Sequence, residues 1–351
     1  MSDERLTVME MEDNKLASIT QLLGFGIDRI LQSCTLDLRC STEFHGPTLN
    51  RKLKGTKYFA NTSKFLHFTS LKALFSMINE KSIRLYSLSN SSDPMEYGFM
   101  GDEIRKIYQI MGYPEKYYSE YINNVKNQYF ILSATSVDNI KSEKHWQEYG
   151  NHSKGVAVEF EIMNEPEFWD GFHFSPVHYG KPENWDSFIS QLIDLQNKNP
   201  SHRYRIFFDQ FYCLHKKPVK TYIDEQELRL LAHRPGWYGF GFDTLIQNDV
   251  GKDGLSQVQY LKLPLYCMDK NKLSFNNLLT DYNNYRCSTN LITEDDVLSF
   301  LQNSPKMKMS KVHFYSEDLC SGKSFNETME DICEKAYFNL GYEVSVEFAR
   351  E

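Results

Sequence analysis

Between Asp224 and Leu231 the chain reads Glu225-Gln226-Glu227-Leu228-Arg229-Leu230, and this stretch restricts the fold more than any other. Side chains of a strand alternate between two faces. Glu225, Glu227 and Arg229 would therefore share one side, and Gln226, Leu228 and Leu230 the other. Three charges on one face of an apolar-backed strand need a reason, because burying them unpaired is costly. In one arrangement the strand lies at a sheet edge with its charges in water. In another it borders a polar cleft, where the carboxylates meet a cationic or hydroxyl-rich ligand. In a third the charges are fold-stabilising ion pairs and the chemistry lies elsewhere. The cleft is the working expectation, since a carboxylate so placed accepts a proton and stabilises positive charge in a transition state.

The rest of the chain interleaves helical and strand patterns irregularly. Leu22–Leu36 reads as one helix, and Ser41–Lys57, with Gly46-Pro47, as a polar linker. Lys64–Phe68 is a short strand, and Ser70 caps a helix running through Glu80, with Leu71, Leu74, Phe75 and Ile78 on one face. Ile83–Leu88 and Tyr129–Thr135 read as strands, Asp102–Lys126 as a helical region broken near Gly112-Tyr113-Pro114. A short helix over Glu143–Tyr149 stops at Gly150, and a strand follows over Gly155–Phe160. Arg203–Leu214 reads as a helix, Val258–Leu265 and Val312–Phe314 as strands, Asn326–Leu340 as a helix closed by Gly341. Tyr342, Val344, Val346 and Phe348 alternate as a final strand. No repeat recurs at a fixed period. The fold class expected is α+β, a mixed or split central sheet with flanking helices rather than a regular doubly wound sheet. Residues 1–56 form a peripheral N-terminal helix and linker. Residues 57–265 form the main α+β domain, and residues 266–351 a C-terminal α/β extension on the same core.

Composition narrows the function classes. The 351 residues are 41% hydrophobic and 25% charged, with 18 glycines and 11 prolines, which excludes a disordered or fibrous chain. Lys and Arg total 39 against 47 Asp and Glu, a net charge of -8, so extensive binding to duplex nucleic acid or an anionic membrane is not expected. Seven cysteines include no Cys-x-x-Cys pair, which argues against a disulfide framework or a cysteine zinc site. With no signal peptide or apolar span, a cytoplasmic protein is expected. Phosphate-loop, dinucleotide-fold, zincin, serine-hydrolase and zinc-deaminase motifs are missing.

What remains is polar residues at strand ends. His67-Phe68-Thr69-Ser70 joins a strand to a helix. There a histidine can meet a ligand hydroxyl while the helix start offers N–H groups to phosphate, or the segment is an ordinary helix cap. Tyr86 precedes the polar stretch Ser87–Glu96, which holds the Ser89–Pro94 turn cluster, and offers a ring for stacking. Trp146 and Tyr149, three residues apart, share one face of the short helix, either as core or as the edge of a cleft. Gly155 suits a close backbone approach.

These segments, in this order, resemble a large bacterial family catalogued as a domain of unknown function. The matching stretches are Leu66-His67-Phe68-Thr69, Asn90–Glu96, Val137–Phe160, Val177-His178-Tyr179 and Glu225–Arg229, within residues 64–265. Ser91-Ser92 separates Asn90 from Asp93 where that family has Asn-Asp directly. His67-Phe68-Thr69 and Glu227-Leu228-Arg229-Leu230 also resemble ADP-ribosyltransferases, including the DNA-modifying toxins of toxin–antitoxin systems. That resemblance implies NAD as substrate and no metal. His67 and Thr69 would hold the nicotinamide ribose, with Tyr86 stacked on the ring. The pyrophosphate would lie at the helix starting at Ser70, with Arg84 or a lysine as counter-charge. Trp146 and Tyr149 would line the cleft, and Glu227 and Glu225 would be the catalytic pair. The acceptor would be a protein, a nucleic acid, a small molecule or, for an NAD glycohydrolase, water. An antitoxin or immunity protein would be a partner, with a role in bacterial defence or toxicity. A recognition module without catalysis is the alternative.

Overall fold

One strand, Tyr129–Thr135, organises the molecule, because it carries neighbours on both edges and divides one edge between two of them. The computed structural model describes residues 18–19, 21–23, 29–34, 40–45, 50–90, 94–200, 202–233, 246–250, 257–268, 302–317 and 324–349. In chain order its elements are β1 (Arg29–Cys34), β2 (Cys40–His45), β3 (Lys64–Thr69), α1 (Leu71–Glu80), β4 (Ser82–Ser87), α2 (Pro94–Ile110), α3 (Glu115–Gln128) and β5 (Tyr129–Thr135). Next come α4 (Glu143–Glu148), β6 (Val156–Ile162), β7 (Phe172–Pro176), β8 (His178–Tyr179), α5 (Trp185–Lys198), β9 (Arg203–Phe207), α6 (Asp209–Leu214) and β10 (His215–Lys216). Last are α7 (Lys220–Ile223), β11 (Glu227–His233), β12 (Ile246–Val250), β13 (Gln257–Pro264), β14 (Met307–Phe314), α8 (Phe325–Leu340) and β15 (Ser345–Phe348).

Ten strands form the central sheet in the order β12-β13-β4-β5-β3-β6-β14-β15, with β11 and then β7 leading away from β5. All its pairings are antiparallel except β14 with β15. β11 runs along β5 from Tyr129 to Thr135. On the opposite edge β4 pairs at Phe130 and Ile131, while β3 pairs at Thr135. Between those contacts the edge of β5 is shared by neither strand, and the sheet forks there.

Two apolar layers cover the two faces. The first face carries Phe65, Ile83, Leu85, Leu132, Val158, Leu230 and Met309 beneath α1 and α8. Both helices are well terminated. Ser70 accepts a hydrogen bond from Ala73 N–H at the start of α1, and Lys81 closes it at φ 52°. A reciprocal Ser324–Glu327 cap opens α8, and Gly341 at φ 79° closes it. The second face carries Tyr129, Ile131 and Leu231 beneath α2, α3, α5 and α6. Alternation of buried residues along β5 and β11 follows this division, which is why the polar members of those strands are confined to the second face.

Three expectations change. Arg29–Cys34 is a strand paired with β2, not part of a helix over Leu22–Leu36, and the expected linker contains β2 and a helical turn at Asn50–Leu53. Pairing with neighbouring strands overrides the local apolar spacing. Arg203–Leu214 is not one helix. Its first half alternates, burying Tyr204 and Ile206, and pairs as β9 with β2, and only Asp209–Leu214 coils. The sequence reads Gly236–Gly241 as an aromatic loop, Asn276–Asn290 as a loop and Thr293 as a helix cap, and all three lie outside the described residues.

β3 and β6 are brought close where Gly155 approaches Thr69: a Cβ at that glycine would collide with the Thr69 carbonyl oxygen and the Gly150 backbone. Since backbone is what it would strike, Gly155→Ala is expected to destabilise the fold by about 1–3 kcal/mol, the usual cost of overpacking, read as a lower urea midpoint at unchanged slope.

Candidate functional site

The second face around β5 collects the polar side chains. Leu66, Thr135 and Glu227 lie in one register row across β3, β5 and β11. Ser133 and Arg229 form the next row, and Tyr86, Ile131 and Leu231 the one after. Residues paired in one row point to the same side of a sheet. Tyr86, Ser133, Thr135, Glu227 and Arg229 therefore share the second face.

Arg229 is fully buried and Glu227 nearly so. Charge is tolerated there because it is paired. The Arg229 guanidinium donates to Glu227 through Nε at 2.8 Å and Nη2 at 3.2 Å, and through Nη1 to the Cys213 carbonyl. Its flat face lies 5.1 Å from the Tyr97 ring centre. The Lys216 ammonium bridges both carboxylates, at 2.6 Å from Glu227 and 3.1 Å from Glu225. The Tyr149 hydroxyl donates to the other oxygen of Glu225 at 2.7 Å. Tyr149, Glu225, Lys216, Glu227 and Arg229 thus form one chain of contacts from the surface to the core. Burial alone would raise the Glu227 carboxyl, but Arg229 and Lys216 outweigh it and hold the group down at about 2.

Glu225 does not lie on the strand. β11 begins at Glu227, and Gln226 between them has φ 45°. That left-handed residue is held by its surroundings. Thr135 Oγ1 is within hydrogen-bonding distance of the carbonyls of Glu225 and Gln226, at 3.0 and 3.3 Å, and Asn139 Nδ2 donates to the Gln226 side chain at 3.3 Å. His145 Nε2–H donates to the Glu225 carbonyl at 3.0 Å. The turn lets two glutamates that are not both on the strand reach one lysine. Non-glycine residues with positive φ are uncommon and persist where neighbours over-determine them.

The register separates the sequence-predicted set. His67 follows Leu66, so it belongs to the first face with Val158, whereas Glu227 belongs to the second. The expectation that these two face one another across a single hollow is corrected accordingly. Beyond Leu66 the strands diverge, and the His67 imidazole enters the fork, where Nδ1–H donates to the Ser133 carbonyl at 2.9 Å. Burial lowers its pKa, opposed by that hydrogen bond. Thr69 lies on the same side as His67, and Ser70 caps α1, which packs on the first face. A phosphate at that helix start would lie across the sheet from Glu227. Arg84 is engaged by Glu80 at 3.0 Å and Asp249 at 3.2 Å. Trp146 is completely buried against Phe68 and Tyr315, with Nε1–H donating to the Ile140 carbonyl, so it is core and not a ligand contact. Tyr86 and Tyr149 remain open, 46% and 45% exposed. The turn residues Ser91–Asp93 lie outside the described residues.

Ser133, Lys216 and Tyr179 were not singled out from sequence. Ser133 is exposed where β5 keeps β11 on one edge and is paired by neither β3 nor β4 on the other. Lys216 sits on a two-residue strand, too short to leave a periodic signal. Tyr179 was within a matched stretch, and its phenol, pushed up to about 12 chiefly by burial, lies 3.5 Å from the Glu227 amide. Among the described residues no three His, Cys, Asp or Glu side chains converge as for a metal ion, and no helix is long and apolar enough to cross a membrane. The chain matches no family model, no curated protein and no solved structure.

Glu227→Gln leaves Lys216 and Arg229 short of a counter-charge and is expected to cost about 3–5 kcal/mol at neutral pH, as for a broken buried pair. The folded pKa of about 2 lies below the ordinary 4.5, so the contribution of Glu227 is complete above that ordinary value and is lost as pH falls through 4.5 toward 2. Urea denaturation from pH 7 to 3 should show a steeper acid loss for the native chain than for the variant, and parallel curves would refute the assignment.

Proposed function

We propose that the chain binds a nucleotide-class ligand in the crevice above Ser133 and acts on the bond between its ribose and its ring, with NAD as substrate. The observation that carries this reading is the exposure of Ser133. Ser133 pairs with Arg229 on one edge and lies on the other between the contacts of β4 and β3, so solvent reaches the sheet at the fork, and ligand sites are concave with a few convergent polar groups. The surroundings suit a nucleotide. Tyr86 offers an open ring for stacking. Ser133 offers a hydroxyl for ribose, and Glu225 offers a carboxylate already braced by Tyr149 and Lys216.

The reaction comes from the resemblance to ADP-ribosyltransferases, and the roles are redistributed among this chain's residues. Glu227 is engaged on both oxygens by Arg229 and Lys216, so Glu225 takes the catalytic part. As the bond from ribose C1′ to the nicotinamide nitrogen lengthens, positive charge grows on the sugar and Glu225 stabilises it. Nicotinamide departs as a neutral ring with the bonding electrons. The acceptor forms the new bond at C1′, and its proton passes to Glu225. With water as acceptor the same first step gives NAD hydrolysis. His67 serves as a brace that holds the Ser133 carbonyl and with it the floor of the crevice.

Incubating the full chain with NAD, with and without cell extract, and measuring free nicotinamide by mass spectrometry tests this. Glu225→Gln is expected to lower release by roughly 100-fold or more, the usual scale for a general acid–base group. Ser133→Trp, which fills the crevice, should abolish NAD binding by calorimetry. Absence of both nicotinamide release and saturable NAD binding would leave a recognition module without catalysis.

A further inference from the structure

β8 and β10 lie side by side as a two-stranded parallel pair, His178 opposite His215 and Tyr179 opposite Lys216. Alternation sends Tyr179 and Lys216 toward the two glutamates and the two histidines to the other side. There the imidazole ring centres are 5.2 Å apart, and the buried Tyr58 ring stands 4.6 Å from one and 5.7 Å from the other. The ligand reading does not use this cluster.

Each histidine is anchored through one nitrogen and turned inward by the other. His215 Nδ1–H donates to the Gly180 carbonyl at 2.7 Å, which leaves the Nε2 lone pair to accept from the Tyr58 hydroxyl at 2.9 Å. His178 donates to the Lys57 carbonyl, and its Nε2 is buried without a hydrogen-bond partner. A backbone carbonyl on one nitrogen, fixing the tautomer and freeing the other lone pair, is the arrangement found behind metal-bound histidines. An orphaned buried nitrogen is otherwise unfavourable.

We propose that His178, His215 and Tyr58 bind a late first-row divalent metal ion, with Zn²⁺ as its representative, and that this ion clamps the strand pair beneath Lys216. The dimensions fit. Two imidazoles bound through Nε2 at about 2.0–2.1 Å to one tetrahedral ion hold their ring centres about 5 Å apart. The contact of 2.9 Å between Tyr58 and His215 is close to the spacing of neighbouring donors on such an ion. On binding, the hydrogen bond from Tyr58 to His215 gives way to two metal bonds, the phenolic proton leaves to solvent, and water fills the fourth position. The nearby Lys57 ammonium opposes a cation but is countered by Glu183 at 3.7 Å. Nitrogen-rich donors favour zinc, copper and nickel over magnesium or calcium. The site does not depend on the NAD reading.

The full chain, stripped with a chelator and dialysed, is titrated with ZnCl₂ by calorimetry and with CoCl₂ by visible absorption. One equivalent is expected to bind, with cobalt giving the intense bands of a tetrahedral site. His178→Gln, half-buried and so tolerable, should weaken binding by at least about 100-fold, and Tyr58→Phe by about 10-fold, with unchanged circular dichroism. Should a variant fail to fold, the native chain still decides: long-range ¹H–¹⁵N spectra should show the Nε2 resonances of two histidines moving on zinc addition. No saturable binding, binding indifferent to His178→Gln, or unmoved imidazole resonances would overturn the proposal and leave a neutral histidine pair.

Discussion

The Lys216 ammonium shared between Glu225 and Glu227 ties the short β8–β10 pair to the start of β11. Arg229 lies on a strand wedged between β5 and β7, where a bare guanidinium would be prohibitive. Glu227 pairs with it two residues away, and Lys216 adds a second cation. Lys216 arrives on β10, which among the described residues pairs with β8 alone, so the ion pair helps fix where that short sheet docks. Glu225 balances the second cation, and the backbone must turn at Gln226 to deliver it. Two cations and two carboxylates then cancel, and a neutral group can be kept where isolated charges cannot.

That same face is open because β5 has lost a neighbour along part of one edge. Helices on both faces would otherwise close a sheet of this width. Once β3 and β4 part, the side chain of Ser133 meets solvent and its carbonyl must find a new donor, which His67 supplies. The imidazole repairs the ladder at the fork. It is thus tied to the gap beside Ser133 although the register assigns it to the other face, and the Ser133 carbonyl takes the place of a carboxylate partner.

How far this was legible in sequence depends on the range of the interactions involved. Patterns set by local burial were clear: the apolar run of β5, the capped α1, the α8 helix closed by Gly341, the alternation of β11. The charged face of β11 also declared itself, and its uncommon feature, charge backed by Leu228 and Leu230, led to the centre of the polar network. The error was in assigning partners. Which strand lies beside which is decided by register, and one residue of register moves a side chain across the sheet. Leu66 and His67 are adjacent in sequence, yet one faces Glu227 and the other does not. Trp146 and Tyr149 seemed equivalent by helical spacing. One seals a small core with Phe68 and the other, at the last turn, reaches Glu225, a difference that tertiary packing alone creates.

Burial sets the two glutamates apart. A carboxylate bound on both oxygens by cations is stabilised in its charged form and has little to gain from a developing positive charge nearby. Its neighbour, held by one cation and one phenol, keeps a freer lone pair and more access to solvent. Tyr149 can release Glu225 by a side-chain rotation at the surface, whereas releasing Glu227 requires breaking contacts with a completely buried arginine. Chemistry that needs a carboxylate to change partners during a reaction is therefore easier at Glu225. The buried pair then sets the geometry, and the outer residue remains adjustable. The left-handed turn at Gln226 is what allows adjacent segments of one chain to serve both purposes.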